Sequence, residues 1–304
     1  MAVDHRHPPD PLRRSVPLSG LTTYRFGGEA AWLAEPDDLT ELAAVRAAAV
    51  HLGLPIVMVG RGSNVVISDG GLEAVVVRLG GGLGTIELVG GEIVVAGAAA
   101  PQPKVARFAV EGDRGGLEFL VGVPGSIGGG VVMNAGCFGS DFAGWMIDAA
   151  ILDLEAGSVT NRTPDDLAMS YRSTGLTDRH IVLSARFRTS SQPAEQGRER
   201  LRHITRWRRL SQPGGTLNAG SVFKNPPGDH AGRLIDAAGL KGLALGGARV
   251  SPRHANFFEA AVGATAQDVF DLVTEVRRRV LDHAGVLLQP EVRFLGEFDR
   301  GGEG

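Results

Sequence analysis

The chain has 304 residues, 43% hydrophobic and 21% charged, which is the composition of a folded protein of about two domains and not of a disordered or fibrous one. With 31 basic and 34 acidic residues the formal net charge is -3, so there is no global pull toward nucleic acid or an anionic membrane. The single cysteine, Cys137, excludes an internal disulfide framework, and no run approaches the ~18 apolar residues of a membrane span.

The opening "MAVDHRHPPDPLRRS" lacks the apolar core of a secretory signal and reads as a loose tail, taken to end at residue 18. A soluble, cytoplasmic protein without membrane insertion is the expectation. "DDLTELAAVRAAAVHLG" at 37–53 is an amphipathic helix, with Asp38 and Glu41 at capping-box spacing and Gly53 placed to stop it. "LPIVMVG" follows as a buried strand that runs into "RGSN". "LEAVVVRL" and "GEIVVAGAA" are further strands, separated by the turn "GGGLG", and "QPKVARFAVEG" is helical. "ILDLEAGSV" and "HIVLSARFRT" are strands with hairpin signals between them.

A composition change at "SSQPAEQGRER" marks the expected domain boundary, giving one domain over 19–192 and another over 193–304. The basic helix "GRERLRHITRWRRL" at 197–210 is either a solvated face or a phosphate contact. After "GSVFKNP" come a short helix, "AGRLIDAAGL", and a strand around "HANFFEA". The long helix "TAQDVFDLVTEVRRRVLDHAG" is capped by Thr265 and Asp268 and ended by Gly285, and "PEVRFLG" is the closing strand. Strands and helices mix without strict βαβ alternation, so the fold class is α+β.

Glycine is the compositional outlier at 44 residues, about twice the ~7% average, and the glycines have no fixed period. "GRGSNVVIS" at 60–68 lacks the lysine of a P-loop, and Val65 stands where a dinucleotide fingerprint needs its last glycine. What this segment offers is bare amides plus Ser63 and Asn64, a nest suited to a pyrophosphate. "VGVPGSIGGGVVMNAGCFGS" at 121–140 offers more of the same. Each segment is either a tight turn between buried elements or a surface on which a bulky ligand lies against the main chain. The two together favour a large anionic cofactor.

"TTYRFGGEA", "GRGSNVVISDGGLEAVVV", "GLEFLVGVPGSIGGGVVMNAGCFG", "AGSVFKNP", "AGRLIDAAGLKG", "GGARVSPRHANF" and "PEVRFLG" occur in order from about residue 20 to 298. In them the chain resembles the UDP-N-acetylenolpyruvoylglucosamine reductase family, in its shorter type. The resemblance implies a two-part FAD-binding domain of the PCMH/vanillyl-alcohol-oxidase type, followed by an α+β substrate-binding domain. It further implies that Arg61, Gly62, Ser63 and Asn64 cradle FAD with Gly122, Pro124, Gly125, Ser126, Gly128, Gly129, Asn134, Ala135 and Gly136. Side chains at the glycines would collide with the cofactor.

The implied reaction uses NADPH as hydride donor and reduces an enolpyruvyl ether of a UDP-sugar to a lactyl ether. An enol ether bearing a carboxylate is a poor hydride acceptor, so cations or proton donors are needed at the carboxylate and an acid at the neighbouring carbon. By resemblance Ser221 is that acid, Arg172 polarises the carboxylate, and Glu291 stabilises the enolate as a neutral acid. Burial among apolar groups keeps a carboxyl protonated. Arg209 and Asn225 match the family's contacts to the UDP-sugar; a guanidinium binds two oxygens of a diphosphate at once. Outside the resemblance, Ser221 reads as a turn hydroxyl, Arg172 as a surface cation and Glu291 as an exposed strand charge.

The histidines show no metal-ligand spacing, His254 reads as structural, and Cys137 reads as packing. No nucleic-acid module is present, and a monomer or weak homo-oligomer is expected. Departures from the family pattern fall at Ser173–Thr174, Ser211 and Ala260, all on the substrate side. They leave room for a paralogue with another carboxylated or nucleotide-linked substrate, or for a non-catalytic flavin binder.

Overall fold

The computed structural model describes residues 12–300. The chain forms two compact units that interleave in sequence. The first comprises Met1–Arg14, Trp32–Arg61 and Ala74–Arg208; the second comprises Ser15–Ala31, Gly62–Glu73 and Arg209–Gly304. Residues 1–11 of the expected tail lie outside the described residues. Within the stretch expected to be a tail, Arg13–Pro17 is a strand. Arg14 lies 5.7 Å over the Trp32 ring, and Arg13 pairs with Glu35.

In the first unit, helix α1, Leu39–Leu52, buries Leu42, Val45, Ala48 and Ala49, and Gly53 closes it in the left-handed conformation. Asp38 accepts from the amides of Thr40 and Glu41 as expected. Glu41 accepts from Asp37 instead of from the capping residue, so the box is half formed. The strand expected to be buried, Ile56–Met58, is three residues long and only half-buried, and it pairs parallel with Leu72–Val77. Ile86–Val89, in a stretch assigned no element from sequence, is an edge strand on Ile93–Gly97.

That edge belongs to a five-stranded antiparallel sheet. Its spatial order is Val159–Arg162, Met146–Asp153, His180–Arg188, Ile93–Gly97 and Ile86–Val89. Helix α2, Gln102–Glu111, buries Val105, Ala106 and Ala109 in the same unit's core. The glycine segment read as a loop contains a helix, α3, Ile127–Val132, followed by the single turn α4, Phe142–Trp145. Three consecutive glycines make α3 a poor helix by propensity. Its first amides are held from outside: Ile127 N–H donates to Ala100 O and Gly128 N–H to Ala98 O, both at 2.9 Å. The basic helix α5, Ala194–Ser211, buries Gly197 and Ile204 and leaves most of its arginines exposed.

The second unit is built on α7, Ala266–Ala284, which buries Val269, Leu272, Val273, Val276 and Val280. Its capping box between Thr265 and Asp268 is complete, and Gly285 ends it. Helix α6, Ala231–Ala237, adds Leu234 and Ile235 to that core. The three-stranded sheet Ala244–Leu245, Ala248–Val250, Phe258–Ala260 packs there, with Ala248, Val250 and Phe258 among its buried residues. The last strand, Arg293–Leu295, pairs parallel with Val65–Ile67, which directly follows the first glycine segment. Antiparallel sheets beside packed helices make the chain α+β, as its sequence implied. Among the described residues, no helix is long and apolar enough to cross a membrane.

Candidate active site

In the first glycine segment, Arg61 is exposed at the end of one unit, and Gly62 is buried in the other. A Cβ on Gly62 would lie 1.8 Å from Leu21 O and 2.7 Å from Thr22 Cα, and its φ is +62°. The protein's own close approach therefore requires this glycine. Asn64 donates from Nδ2 to Glu291 O at 3.0 Å, and its carbonyl accepts from Arg293 N–H at 3.0 Å. Ser63 is half-buried beside it.

The second segment separates its glycines into two groups. A Cβ on Gly122 would come within 2.7 Å of Cys137 Sγ, on Gly130 within 2.2 Å of Phe142 Cζ, and on Gly136 within 2.3 Å of Ser140 O. At Gly128 it would stand 3.1 Å from Ala98 Cβ. Internal packing accounts for a glycine at these four positions, the tight-turn alternative left open by the sequence. Gly129 differs: it is exposed, and its Cβ would meet only Ser126 Oγ, at 3.6 Å. Gly125 has φ +133°, which side chains rarely adopt. An open surface at Gly129 beside an extended glycine turn fits a bulky cofactor laid against the main chain.

Ser126 is the N-cap of α3, its Oγ accepting from Gly129 N–H at 3.4 Å, and Pro124 is exposed just before it. Asn134 is 2% exposed and left-handed at φ +39°. Its amide donates to Ser170 O at 2.9 Å and accepts from Ala143 N–H at 3.0 Å, so its side chain is engaged within the protein. Ala135 is buried, its N–H donating to Gly130 O at 2.9 Å.

Arg172 reaches this segment. Its guanidinium donates to Gly136 O at 2.6 Å and to Asn134 O at 3.4 Å, and its φ of +54° aims it there. The Tyr171 ring lies 5.1 Å from the guanidinium carbon. Thr174 donates to Val132 O at 2.9 Å, which explains a hydroxyl at this departure from the family pattern. Cys137 donates to Phe119 O at 3.1 Å, and burial pushes its thiol up to about 11 against the opposing pull of Arg208 and Arg172. Its Sγ packs 2.7 Å from the Cβ position of Gly122, and a raised thiol pKa disfavours the thiolate. Arg208, in the basic helix whose arginines other than Arg209 read as solvated, is half-buried, with Cδ 3.7 Å from the Cβ position of Gly122; burial lowers its pKa.

The remaining residues belong to the second unit. Ser221 is half-buried on a strip of extended chain bridged to Phe257, with Phe223 bridged to Pro290. Glu291 N–H donates to Val222 O at 2.7 Å, so the Ser221, Glu291 and Asn64 segments are joined through their backbones. Asn256, which sequence reasoning missed, organises this strip. It is 4% exposed, accepts from Phe223 N–H at 2.9 Å and donates to Phe223 O at 2.8 Å. The signal available was an amide inside the apolar run "HANFFEA". His254 Nδ1 accepts from Asn256 N–H at 3.2 Å, a structural role.

Asn225 is exposed and accepts from Ala231 N–H at 3.0 Å, tying its loop to the start of α6. Arg209 is exposed, and Arg253 fixes its backbone by donating to Arg209 O at 2.8 Å. At the other two departures, Ser211 is half-buried and Ala260 N–H donates to Leu217 O at 2.9 Å.

Residues 212–295 match the family model for the UDP-N-acetylenolpyruvoylglucosamine reductase C-terminal domain, and residues 30–156 match an FAD binding domain. The UDP-N-acetylenolpyruvoylglucosamine reductase of Paramagnetospirillum magneticum is 43% identical over 282 residues, covering 92% of this chain and 91% of that protein. That of Rubrobacter xylanophilus is 42% identical over 284 residues, covering 92% and 94%. The crystal structure of the Thermus caldophilus reductase superposes with a TM-score of 0.81 at 33% identity, covering 94% of this chain and 99% of that one. Relatives this similar over nearly their whole length, on the same fold, make the chain a member of the UDP-N-acetylenolpyruvoylglucosamine reductase family.

Proposed function

We infer that this protein is an FAD-dependent oxidoreductase that reduces UDP-N-acetylglucosamine enolpyruvate to UDP-N-acetylmuramate with NADPH, in the synthesis of peptidoglycan precursors. The observation that carries the reading is near-full-length similarity to reductases of that name, together with Arg172, Ser221 and Glu291 all standing at the family's motif positions. FAD, when bound, relays hydride equivalents from NADPH to the enolpyruvyl group. The FAD-binding role is assigned to 19–192 and the substrate role to 193–304, while the compact units interleave across that division.

Within this reading, Gly125 and Gly129 admit the cofactor to the main chain, and Gly62–Asn64 supply amides. The Arg172 guanidinium holds the substrate carboxylate and offsets the charge that grows on it. Ser221 Oγ delivers a proton to the carbon next to the one that receives hydride. Glu291, as a neutral acid, donates a hydrogen bond to the enolate oxygen. Arg209 and Asn225 hold the UDP-sugar, the former through its exposed guanidinium. A nucleotide-sugar substrate and NADPH support a cytoplasmic location, and the proposed state is a monomer or weak homo-oligomer.

The test is NADPH oxidation by the purified holoprotein with the enolpyruvyl sugar, with product mass read by spectrometry. The expected product carries two more hydrogens than the substrate. A protein that oxidises NADPH at the same slow rate with and without the sugar would contradict the reading and direct the search to other acceptors.

A further inference from the structure

Gln102 opens α2 and is 2% exposed. Its backbone N–H donates to Gly125 O at 3.0 Å, and its Nε2 donates to Ser126 O at 3.1 Å. The other end of the carboxamide is unsatisfied, because Oε1 is buried with no hydrogen-bond partner among the described residues. Rotating the amide does not remedy this, since Oε1 would then face a carbonyl oxygen. Ser126 O does not depend on Gln102, because Gly130 N–H also donates to it, at 2.9 Å.

An apolar side chain of similar length would therefore remove an unpartnered acceptor and orphan nothing. Folding alone gives no reason for a glutamine here. What the carboxamide supplies is a second, directed donor: the backbone N–H of residue 102 holds Gly125 O whatever the side chain, and Nε2 adds a fixed hold on the next carbonyl, that of Ser126. Beyond Ser126 the segment is already anchored, with Ile127 and Gly128 bonded to Ala100 and Ala98. Gly125, at φ +133°, is the residue whose conformation most needs holding.

We propose that Gln102 is a positioning residue that holds the Gly125–Ser126 turn in the shape that receives FAD. The inference rests on the reading of 122–136 as a cofactor segment. The experiment removes flavin from the purified full chain and measures two quantities, apoprotein thermal unfolding and FAD affinity by quenching of flavin fluorescence. Gln102→Met is expected to unfold at or above the wild-type temperature while its Kd for FAD rises about fivefold to tenfold.

Gln102→Glu supplies a second readout. Its carboxyl, once protonated, donates to Ser126 O, so FAD affinity recovers toward wild type as pH is lowered. Gln102→Met with wild-type FAD affinity would overturn the proposal, as would an affinity loss no larger than its loss of folding stability accounts for. A wild-type apoprotein that takes up no FAD would instead overturn the cofactor reading, and this inference with it.

Discussion

Replacing Gly129 and Gly130 separately by alanine distinguishes a glycine kept for a ligand from one kept for packing. Alanine in a helix is favoured over glycine by about 0.5–1 kcal/mol. At Gly130 that gain is overrun, because the new Cβ would sit 2.2, 2.7 and 2.9 Å from three atoms of the Phe142 ring. Phe142 is fully buried, with Phe119 and Phe187 rings edge-on at 6.3 and 5.3 Å, so it has nowhere to go. Overpacking of this kind costs about 1–3 kcal/mol, and Gly130→Ala should be net destabilising by about 1–2 kcal/mol. At Gly129 the only neighbour is Ser126 Oγ at 3.6 Å, so the apoprotein should keep or gain up to about 1 kcal/mol. Urea unfolding of the flavin-free variants reads both values, and FAD titration completes the comparison. Gly129→Ala should bind FAD at least about tenfold more weakly, a loss of about 1.4 kcal/mol. Unchanged FAD affinity in Gly129→Ala, or equal stability of the two variants, would refute the assignment of these glycines.

Asn256→Ala leaves both polar groups of the Phe223 backbone without their side-chain partner; at about 1–3 kcal/mol for each unsatisfied group, a loss of about 2–6 kcal/mol is expected in urea unfolding. Asn256→Asp keeps the acceptor but turns a buried carboxyl toward Phe223 O, so it should lose at least as much at neutral pH and recover as pH is lowered; a loss near zero in both would mean the bonds do not form. His254 has a pKa held below 6.5, chiefly by burial and further by Lys241. The unfolded chain therefore takes up its proton first as pH falls, so stability is full above about pH 6.5 and declines below it toward the folded pKa. His254→Ala should flatten that dependence, and an unchanged pH profile would contradict it. The Cys137 thiol, raised to about 11, should resist iodoacetamide at about pH 8 in the native protein and react after denaturation. Labelling of the native protein at the rate of a free thiol would contradict its burial.

Helices with side-chain signals were legible. The box of Thr265 and Asp268, the stop at Gly285 and the apolar spacing of α7 are local features, and the structure realises all of them. Helix α3 was not legible, because glycines carry no periodicity and its start is held by carbonyls of residues 98 and 100. Ile86–Val89 becomes a strand through its partner Ile93–Gly97 more than through its own residues. In the site, motifs located every candidate residue, but a motif does not distinguish a glycine facing a ligand from one facing Phe142. Asn256 escaped notice for a related reason, since its importance lies in a backbone 33 residues away. The buried acceptor of Gln102 likewise exists only once α2 and the Gly125–Ser126 turn are brought together.

Anaerobic stopped-flow spectroscopy on the holoprotein tests the central claim most directly. Its flavin is first reduced with NADPH, and UDP-N-acetylglucosamine enolpyruvate is then added while flavin absorbance is followed. Rapid return of the oxidised spectrum, lost in Ser221→Ala, is the predicted result. A flavin that NADPH reduces but that stays reduced in the presence of the enolpyruvyl sugar would contradict the account.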